Sequence, residues 1–239
     1  MLKVDLHTHT ADDLFDRIPY QTYELIDHAA ALGFDALAIT LHDSQLDVAH
    51  YRDYAATRGI ALIPGIERTI QGRHVLLLNF SRAAESIGSF EALAALRRRE
   101  RGLVIAPHPF FPAGSALRGA LSRHGDLFDA VEWNAMFTKT VNFNLLAARW
   151  ARRHRKPMVG NGDVHRLEQL GTTYSLVDAE PSPDAICEAI AAGRVRVVTT
   201  PLSVFTAARV FADLAASTLL PRRVGTASTP QTVRTPGPV

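Results

Sequence analysis

Residues 2–10 read LKVDLHTHT, and this stretch decides how the whole chain is interpreted. Its apolar start predicts a short β-strand that runs directly into His7-Thr8-His9. Because side chains two apart in a strand point the same way, His7 and His9 present two imidazoles on one side of the strand end. That spacing is typical of a metal site.

Other predicted strands also end in a residue of ligand type. These residues are His42 after LAIT, Glu67 after LIPGI, His108 after LVIAP, and Asp163 and His165 after PMVGN, while His74 lies at the edge of a further strand. Strand ends that converge at one mouth of a barrel build the active site of such a fold. Burying this many imidazoles and carboxylates together is costly unless a cation neutralises the carboxylates and accepts the nitrogen lone pairs.

The rest of the chain alternates between strand-like and helix-like segments. The predicted strands are Lys3–His7, Ala36–Thr40, Ala61–Gly65, His74–Phe80, Leu103–Pro107, Ala130–Trp133, Met158–Gly160 and Val195–Thr199. The predicted helices are Thr22–Leu32, Gln45–Arg58, Phe90–Arg101, Phe143–Arg155, Pro183–Ala192 and Val204–Ala216. This alternation predicts an α/β fold with a parallel sheet and crossover helices.

Length and composition indicate one folded domain, residues 1–219, followed by a tail, residues 220–239. The tail is rich in Pro, Thr, Gly and Ser and contains three arginines but no acidic residue, so we expect it to be disordered. The rest of the chain has 23 basic and 24 acidic residues and is nearly neutral. Two arginine-rich stretches, 97–101 and 152–156, come late in predicted helices and are interpreted as solvated faces rather than a nucleic-acid patch.

Further features indicate the compartment. The single cysteine, Cys187, cannot form an internal disulfide and is interpreted as a buried apolar residue. We find no stretch typical of a signal peptide, and no apolar run approaches the roughly 20 residues of a membrane span. We therefore expect a cytoplasmic protein without membrane association.

The ligand types limit the choice of metal without identifying it. Imidazoles and carboxylates without a thiolate suit Zn²⁺, Mn²⁺ or Fe²⁺. The eight strand-edge residues, with one acid from the pair Asp12-Asp13, give nine ligands, enough for two or three ions that share a carboxylate. Sites with several metals activate a water and clamp the oxygens of a phosphoryl group, so the residues predict phosphoester hydrolysis.

These motifs resemble the PHP (polymerase and histidinol phosphatase) metallophosphoesterases. The resemblance is carried by His7-Thr8-His9, Thr40-Leu41-His42-Asp43, Pro64-Gly65-Ile66-Glu67, His74, Ala106-Pro107-His108-Pro109, Glu132-Trp133-Asn134, Asp163-Val164-His165, and Glu188 through Arg194. It implies a distorted (βα)7 TIM-like barrel. The chain departs from the family at Leu41, where an aspartate is common, and in the lead-in Asn161-Gly162.

The resemblance also implies three metal positions. His7, His9 and Asp163 hold one ion, and Glu67 bridges it to a second ion held by His74 and His108. The third position lies between Asp13, His42 and His165, with Asp12 as the alternative to Asp13. The candidate catalytic residues are Glu67, Asp163 and His165.

Three further residues are candidates for contact with the substrate. Glu132 and Asn134 are interpreted as outer-sphere or substrate-facing groups, with ligation by the carboxylate left open. Arg118, after the His108-Pro109 loop, is a candidate for gripping the phosphate, with an exposed loop arginine as the alternative. Arg68 is a weaker candidate because it neighbours Glu67 on a strand and points away.

We therefore expect a hydrolase of a small phosphorylated metabolite or nucleotide. One alternative is an exonuclease or oligonucleotide phosphodiesterase, which would need a basic groove beside the site. The other is an amidohydrolase-like metal hydrolase of C–N or C–O bonds. That family often uses a carbamylated lysine, and Lys3, Lys139 and Lys156 are not placed for it.

Overall fold

The computed structural model describes residues 1–219, which form an α/β structure with nine strands and seven α-helices. The strands are β1 Leu2–Thr8, β2 Ala36–Ile39, β3 Ala61–Ile70, β4 Arg73–Leu78, β5 Leu103–Ala106, β6 Ala130–Asn134, β7 Met158–Asn161, β8 Thr173–Val177 and β9 Val195–Thr199. The helices are α1 Thr22–Ala31, α2 Val48–Ala56, α3 Phe90–Arg99, α4 Gly119–Arg123, α5 Asn144–His154, α6 Pro183–Ala191 and α7 Val204–Leu219. Residues 220–239, the predicted disordered tail, lie outside the described part.

All strands belong to one sheet in the order β7-β6-β5-β4-β3-β2-β1-β8-β9. The pairs within β1–β2–β3 and within β5–β6–β7 are parallel. The pairs β3–β4, β4–β5, β1–β8 and β8–β9 are antiparallel, so the prediction of a parallel sheet is wrong there. The reason is local for β3 and β4: Gln71 and Gly72, with φ of 49° and 73°, turn the chain back in a tight hairpin without a crossover helix.

The sheet curls into a nearly closed barrel, which confirms the predicted distorted TIM-like architecture. Closure joins β7 to β8 through a side chain: the Ser175 hydroxyl accepts from the Gly160 amide (2.8 Å) and donates to the Gly160 carbonyl (3.1 Å). A Cβ at Gly160 would lie 2.6 Å from the Tyr174 carbonyl oxygen, so only glycine lets the two strands approach this closely.

Helices cover the barrel through three large apolar clusters. One packs strand residues against α3, α4 and α5 and includes Phe90, Leu121 and Trp150. A second packs β1–β7 against α6, and a third packs β2 against α1 and α2. The predicted start of α6 is confirmed, because the Ser182 side chain accepts from the Ala185 amide before Pro183 at the first turn.

Differences from the predicted elements have local causes. The second helix begins at Val48 rather than Gln45, because the Asp47 side chain caps it by accepting from the Ala49 amide (3.2 Å). The strand β8 and the five-residue helix α4 were not predicted. Cys187 is buried, as expected. Over the described residues, no helix combines the length and hydropathy that a membrane crossing requires.

Candidate metal centre

The predicted ligand-type residues meet at one end of the barrel. His7 lies near the end of β1, and the others follow β1, β2, β5 and β7 or lie in the β3–β4 hairpin. The antiparallel return of this hairpin brings the start of β4 to the same end. A cleft of about 510 Å³ opens there. Its lining residues are Asp16, His42, Glu67, His74, His108, Phe111, Ala113, Gly114, Ser115, Asn134, Met136, Asp163 and His165.

Glu67 is the centre of this cluster. One carboxylate oxygen, Oε2, faces His42 Nε2 (3.1 Å), His7 Nε2 (3.2 Å) and His9 Nε2 (3.4 Å). The other, Oε1, faces His74 Nδ1 (2.7 Å) and His108 Nε2 (3.1 Å). Burial opposes ionisation of this carboxyl, but the surrounding histidines outweigh it and hold its pKa well below 4.5. Glu67 therefore carries its charge between two groups of histidines.

The position of Glu67 differs from the expected strand end. β3 continues past it to Ile70, and Glu67 pairs with Leu76 in the hairpin. A single bridge between His42 and Glu67 extends the β2–β3 pairing to this point. The carboxylate thus comes from a continuous, paired backbone, which fixes its position more firmly than a loop would.

Several buried nitrogen atoms in the cluster lack a hydrogen-bond partner. They are His7 Nε2, His9 Nε2, His74 Nδ1 and His108 Nδ1. The first three lie near Glu67 oxygens in geometries that do not make hydrogen bonds. An unpaired buried polar atom is costly, and its presence in a native structure calls for a further partner such as an ion. Imidazole nitrogens and carboxylate oxygens that face each other in this way fit divalent transition metals.

Asp163 joins the cluster from the segment after β7. Its Oδ1 lies 3.4 Å from His7 Nε2 and 3.6 Å from His9 Nε2. Its side chain is also 3.4 Å from His165 Nδ1. Burial again opposes ionisation, but His7, His9 and His165 hold its pKa well below 3.8. The φ of Asp163 is 48°, a strained conformation for a side-chain-bearing residue that is typical of functional sites.

Asp5, a residue missed by the sequence analysis, fixes the segment before Asp163. Both of its carboxylate oxygens accept from the Gly162 amide, at 3.1 and 3.0 Å. A Cβ at Gly162 would lie 2.7 Å from Asp5 Oδ2 and 2.4 Å from Val164 Cγ2, so this close approach requires glycine. Burial raises the pKa of Asp5 to about 7, although the Gly162 and His7 amides oppose the shift.

The structure separates Asp12 from Asp13. Asp12 accepts from the Thr22 hydroxyl (2.8 Å) near the start of α1. Asp13 Oδ2 lies 3.0 Å from both His9 Nδ1 and His42 Nδ1. Asp13 therefore contacts the ring nitrogens opposite the Nε2 atoms that face Glu67. This arrangement fixes the tautomer and orientation of both imidazoles.

Asp16 is a second residue that the sequence analysis missed. Its Oδ2 lies 2.9 Å from His165 Nε2 and 3.7 Å from His42 Nδ1. It lines the cleft and thus adds a carboxylate beside the predicted third metal position. The spacing of Asp13 and Asp16 in the ADDLFD segment is the only sequence signal that could have included it.

Glu132 supports the cluster from behind. It is fully buried, and its Oε1 accepts from His7 Nδ1 (2.8 Å) while its Oε2 accepts from the His108 amide (2.7 Å). Asn134 donates to Glu132 (3.1 Å) and to Asp163 Oδ2 (3.0 Å), and it also lines the cleft. Glu132 thus contacts the histidines rather than the open cleft, while Asn134 reaches both.

The arginines considered for substrate contact are occupied by other groups. Arg118 is absent from the cleft lining, and its Nη2 donates to the Phe111 carbonyl (3.4 Å). Arg68 donates to Asp43 (2.5 Å) and to the Ile87 carbonyl (2.7 Å). The structure therefore does not bring Arg118 into the cleft, and its grip on a phosphate stays a prediction.

The carboxylates around four of the histidines raise the pKa values of their imidazoles. Burial opposes protonation of His7, but Asp163, Glu67 and Glu132 outweigh it and raise its pKa well above 6.5. The pKa values of His42, His108 and His165 are raised for the same reason, mainly by Glu67 for the first two and by Asp16 for His165. Without an ion, the cluster thus holds protons between its nitrogens and oxygens.

Comparisons with known proteins agree with this geometry. A family model described as PHP-associated matches residues 141–195. No curated protein matches the chain. A two-domain protein of Bacteroides vulgatus that contains a predicted PHP-like metal-dependent phosphoesterase is 20% identical, with a TM-score of 0.67 over 95% of this chain and 72% of that one.

Two further solved structures share the fold. PsfC of Pseudomonas syringae is 20% identical, with a TM-score of 0.58 over 90% of this chain and 97% of that one. The lesion-specific endonuclease EndoQ of Pyrococcus furiosus is 15% identical, with a TM-score of 0.52 over 88% of this chain and 66% of that one. At these identities the comparisons establish a shared fold.

Proposed function

We propose that this chain, a PHP-domain protein by its matched segment and its fold, is a metal-dependent hydrolase of a small phosphate ester. The observation that carries the proposal is the placement of Glu67 between two groups of histidines, several of whose buried nitrogens have no hydrogen-bond partner. A carboxylate in that position would be shared by two ions, and donors of this type suit Mn²⁺, Zn²⁺ or Fe²⁺.

The residues divide among two or three ions. His7, His9 and Asp163 would hold one ion and His74 with His108 a second, with Glu67 shared between them. His42 and His165 would hold a third with the predicted Asp13 or, closer to His165, Asp16. The five groups of three donors with ligand atoms within 4.8 Å of one another support such a multinuclear site.

When bound, such ions lower the pKa of a water toward about 7 and neutralise the phosphate oxygens. In the overall reaction, a water oxygen bonds to phosphorus, the ester P–O bond breaks, and a proton passes to the leaving alcohol. Glu132 holds the ring of His7 in a fixed orientation. Where Asp16 rather than Asp13 binds the third ion, Asp13 does the same for the rings of His9 and His42. Such preorganisation supplies much of the rate enhancement, since no group must reorient during the reaction.

The candidate catalytic residues keep distinct roles in this proposal. Glu67 and Asp163 stay ionised at neutral pH because the histidines lower their pKa values. His165 lies at the cleft with Asp16 at 2.9 Å, close to where an ester would bind. Its pair with Asp16 fixes the ring beside the reacting phosphate.

The cleft favours a small ester over nucleic acid. Among the residues that the structure describes, no arginine or lysine lines it. A strand of nucleic acid needs a basic groove for its phosphates, since those contacts dominate its affinity. Nor does a lysine lie among the described lining residues to act as a carbamylated ligand, which argues against the amidohydrolase-like alternative.

Metal analysis with a turnover screen tests the proposal. Protein purified without chelator should contain more than one equivalent of transition metal, as measured by inductively coupled plasma mass spectrometry. Phosphate release from a panel of phosphorylated metabolites and nucleotides should be lost after dialysis against chelator and restored by Mn²⁺, Zn²⁺ or Fe²⁺. Protein that neither contains nor takes up metal, or that hydrolyses no ester when loaded, would contradict it.

A further inference from the structure

The cleft has a second part that the metal centre does not use. Two loops supply its remaining lining residues: the loop after β5 supplies Phe111, Ala113, Gly114 and Ser115, and the loop after β6 supplies Met136. We call Phe111, Ala113 and Met136 the apolar wall. Because the described lining contains no arginine or lysine and the apolar wall carries no charged group, this part of the cleft offers apolar contact and no compensation for a negative charge.

The loop that carries Phe111 is fastened to the barrel. Arg73 donates to the carbonyls of Gly114 (2.6 Å) and Ala116 (3.0 Å), and the His74 amide donates to the Ser115 carbonyl (2.9 Å). Arg118 adds its guanidinium to the Phe111 carbonyl (3.4 Å) and its amide to the Pro109 carbonyl (2.8 Å). Arg73 and Arg118 thus hold the wall in place, and the wall is preorganised.

The carboxy-terminal part of the described chain supports the wall from behind. Phe111 and Met136 form an apolar cluster with Leu202 before α7 and with Ala207 and Val210 of α7. The Phe111 ring lies 5.5 Å from the Phe143 ring, and Gln169 donates to the Met136 sulfur (3.6 Å). The Phe111 and Met136 side chains are less than a tenth exposed, so these two members of the wall present fixed edges to the cleft.

We infer that the apolar wall receives the leaving group, so that the substrate is a phosphate monoester of an uncharged aromatic or aliphatic alcohol. This inference rests on the proposed function. An aromatic or aliphatic group gains contact with Phe111 and Met136, as in ligand pockets lined by apolar side chains. A carboxylate or second phosphate on the leaving group would lose water against the wall without meeting an arginine or lysine there. Esters with such groups are disfavoured.

Three esters that each carry one phosphate group, but differ in their leaving groups, test this selectivity. Benzyl phosphate carries an apolar leaving group, glycerol phosphate a neutral polar one, and phosphoglycolate an anionic one. Benzyl and glycerol phosphate both expel an alkoxide, so a difference between them reports recognition more than intrinsic reactivity. With manganese-loaded protein, we expect kcat/KM to be about tenfold higher for benzyl than for glycerol phosphate, and lowest for phosphoglycolate.

Substitutions test whether Phe111 causes the preference for benzyl phosphate. Phe111→Ala should lower kcat/KM for benzyl phosphate about tenfold and change that for glycerol phosphate little, while Phe111→Leu should retain part of the preference. Phe205→Ala, the same change at a side chain that is 80% exposed on α7, is the matched control and should leave both values unchanged. Circular dichroism and metal content show that each variant folds and loads.

Binding gives a readout independent of turnover. Benzylphosphonate, which cannot be hydrolysed, should bind the wild-type protein more tightly than methylphosphonate, and Phe111→Ala should remove most of that difference. Equal kcat/KM for the three esters, or a preference for phosphoglycolate, would overturn the inference and leave the proposed function standing. If the loaded protein hydrolyses no phosphate ester, the proposed function itself fails.

Discussion

Two clefts of almost the same volume lie at opposite ends of β4 and β5. The first, about 510 Å³, contains the metal centre, and the second, about 500 Å³, is lined by α3 and α6 residues. The lining residues of the second are Asn79, Arg97, Glu100, Arg101, Gly102, Asp184, Cys187, Glu188 and Ala191. Both contain several charged or titratable side chains, so neither volume nor composition distinguishes them.

The hydrogen-bond pairing of the side chains distinguishes the two clefts. In the second cleft, Arg97 pairs with Asp129 (2.7 Å), Glu100 accepts from the Ser81 hydroxyl (2.8 Å), and Asn79 donates to Asp184 (2.5 Å). None of the unpartnered buried side-chain atoms found in the described residues belongs to that lining. In the metal centre of the first cleft, the buried nitrogens His7 Nε2, His9 Nε2 and His74 Nδ1 face Glu67 without hydrogen bonds. Unpaired buried nitrogen atoms, rather than cavity size, therefore distinguish the candidate functional end of the barrel.

The strongest test of this comparison replaces one glutamate in each cleft. Glu67→Gln removes the charge shared by two histidine groups and should lower kcat/KM by at least about a hundredfold, more than the loss typical of an outer-sphere residue. Metal content should fall with it. Glu100→Gln, which alters a paired residue of the second cleft, should change neither.

Steady-state kinetics and metal analysis of the two variants under identical loading decide the outcome. Normal turnover and metal content in Glu67→Gln would remove the bridging role. A comparable loss in Glu100→Gln would show that the second cleft also contributes to activity, and the contrast between the clefts would then fail.

A smaller effect is expected for Glu132→Gln. Glu132 contacts His7 Nδ1 and the His108 amide but does not line the cleft, so it orients ligands without touching a substrate. Loss of such a partner typically lowers metal affinity or activity about 10- to 100-fold. Titration of the metal-free variant with Mn²⁺ should show weaker binding than the wild type.

Glu188→Gln in the second cleft is the matched control. If both variants bind Mn²⁺ as the wild type does, Glu132 has no effect on the ligands. Restored turnover at high Mn²⁺ would confirm that Glu132 acts through affinity, whereas a defect that persists at saturation would assign it a direct role in the reaction.

Sequence reasoning located the first cleft because its chemistry is concentrated at strand ends. His7 and His9, spaced two apart after an apolar strand, are brought together with His42, His108 and Asp163 in the structure. This prediction depends only on strand periodicity and on the convergence of parallel strand ends. The barrel was implied by the resemblance, whereas the alternation of strands and helices alone predicted a parallel sheet that four of the eight strand pairs contradict.

The missed residues depend on tertiary contacts that no local pattern contains. Asp5 precedes His7 by two residues and reads as a strand residue, yet it clamps Gly162 from a distant segment. Asp16 differs from Asp13 only in where the loop places it. Arg118 was a candidate for gripping the phosphate because it follows His108-Pro109 in sequence, with an exposed loop arginine as the alternative. Its guanidinium contacts the Phe111 carbonyl, and the phosphate role stays a prediction.

The hydrophobic periodicity of the sequence also did not predict that β4 returns antiparallel to β3. Residues 71–72 read Gln-Gly, a weaker turn signal than Asn-Gly or Asp-Gly, and β3 and β4 both have the apolar character of strands in a parallel sheet. The consequence is functional, because the antiparallel return of β4 places His74 beside Glu67.

The smallest expected effect concerns the stability of the metal-free protein, and it sharpens the contrast between clefts. The pKa values of His7, His42, His108 and His165 are raised above 6.5 in the folded state, and that of Asp5 is raised from 3.8 to about 7. A group with a raised folded pKa stabilises the fold below its unfolded pKa and loses that contribution as the pH rises through the folded value. Glu67 and Asp163 have lowered pKa values and stay ionised throughout this window, so they do not oppose the trend.

The free energy of unfolding of metal-free protein should therefore fall by at least about 1 kcal/mol between pH 6 and pH 9, since one pKa unit corresponds to about 1.4 kcal/mol. Urea unfolding in chelator at several pH values measures it. Metal-loaded protein should lose this trend, because ligand nitrogens must be deprotonated to bind and rising pH then favours the bound form. Glu100→Gln should follow the wild type. A pH-independent metal-free protein would mean that the proton-holding cluster contributes nothing to stability, and the first cleft would then resemble the second in its energetics.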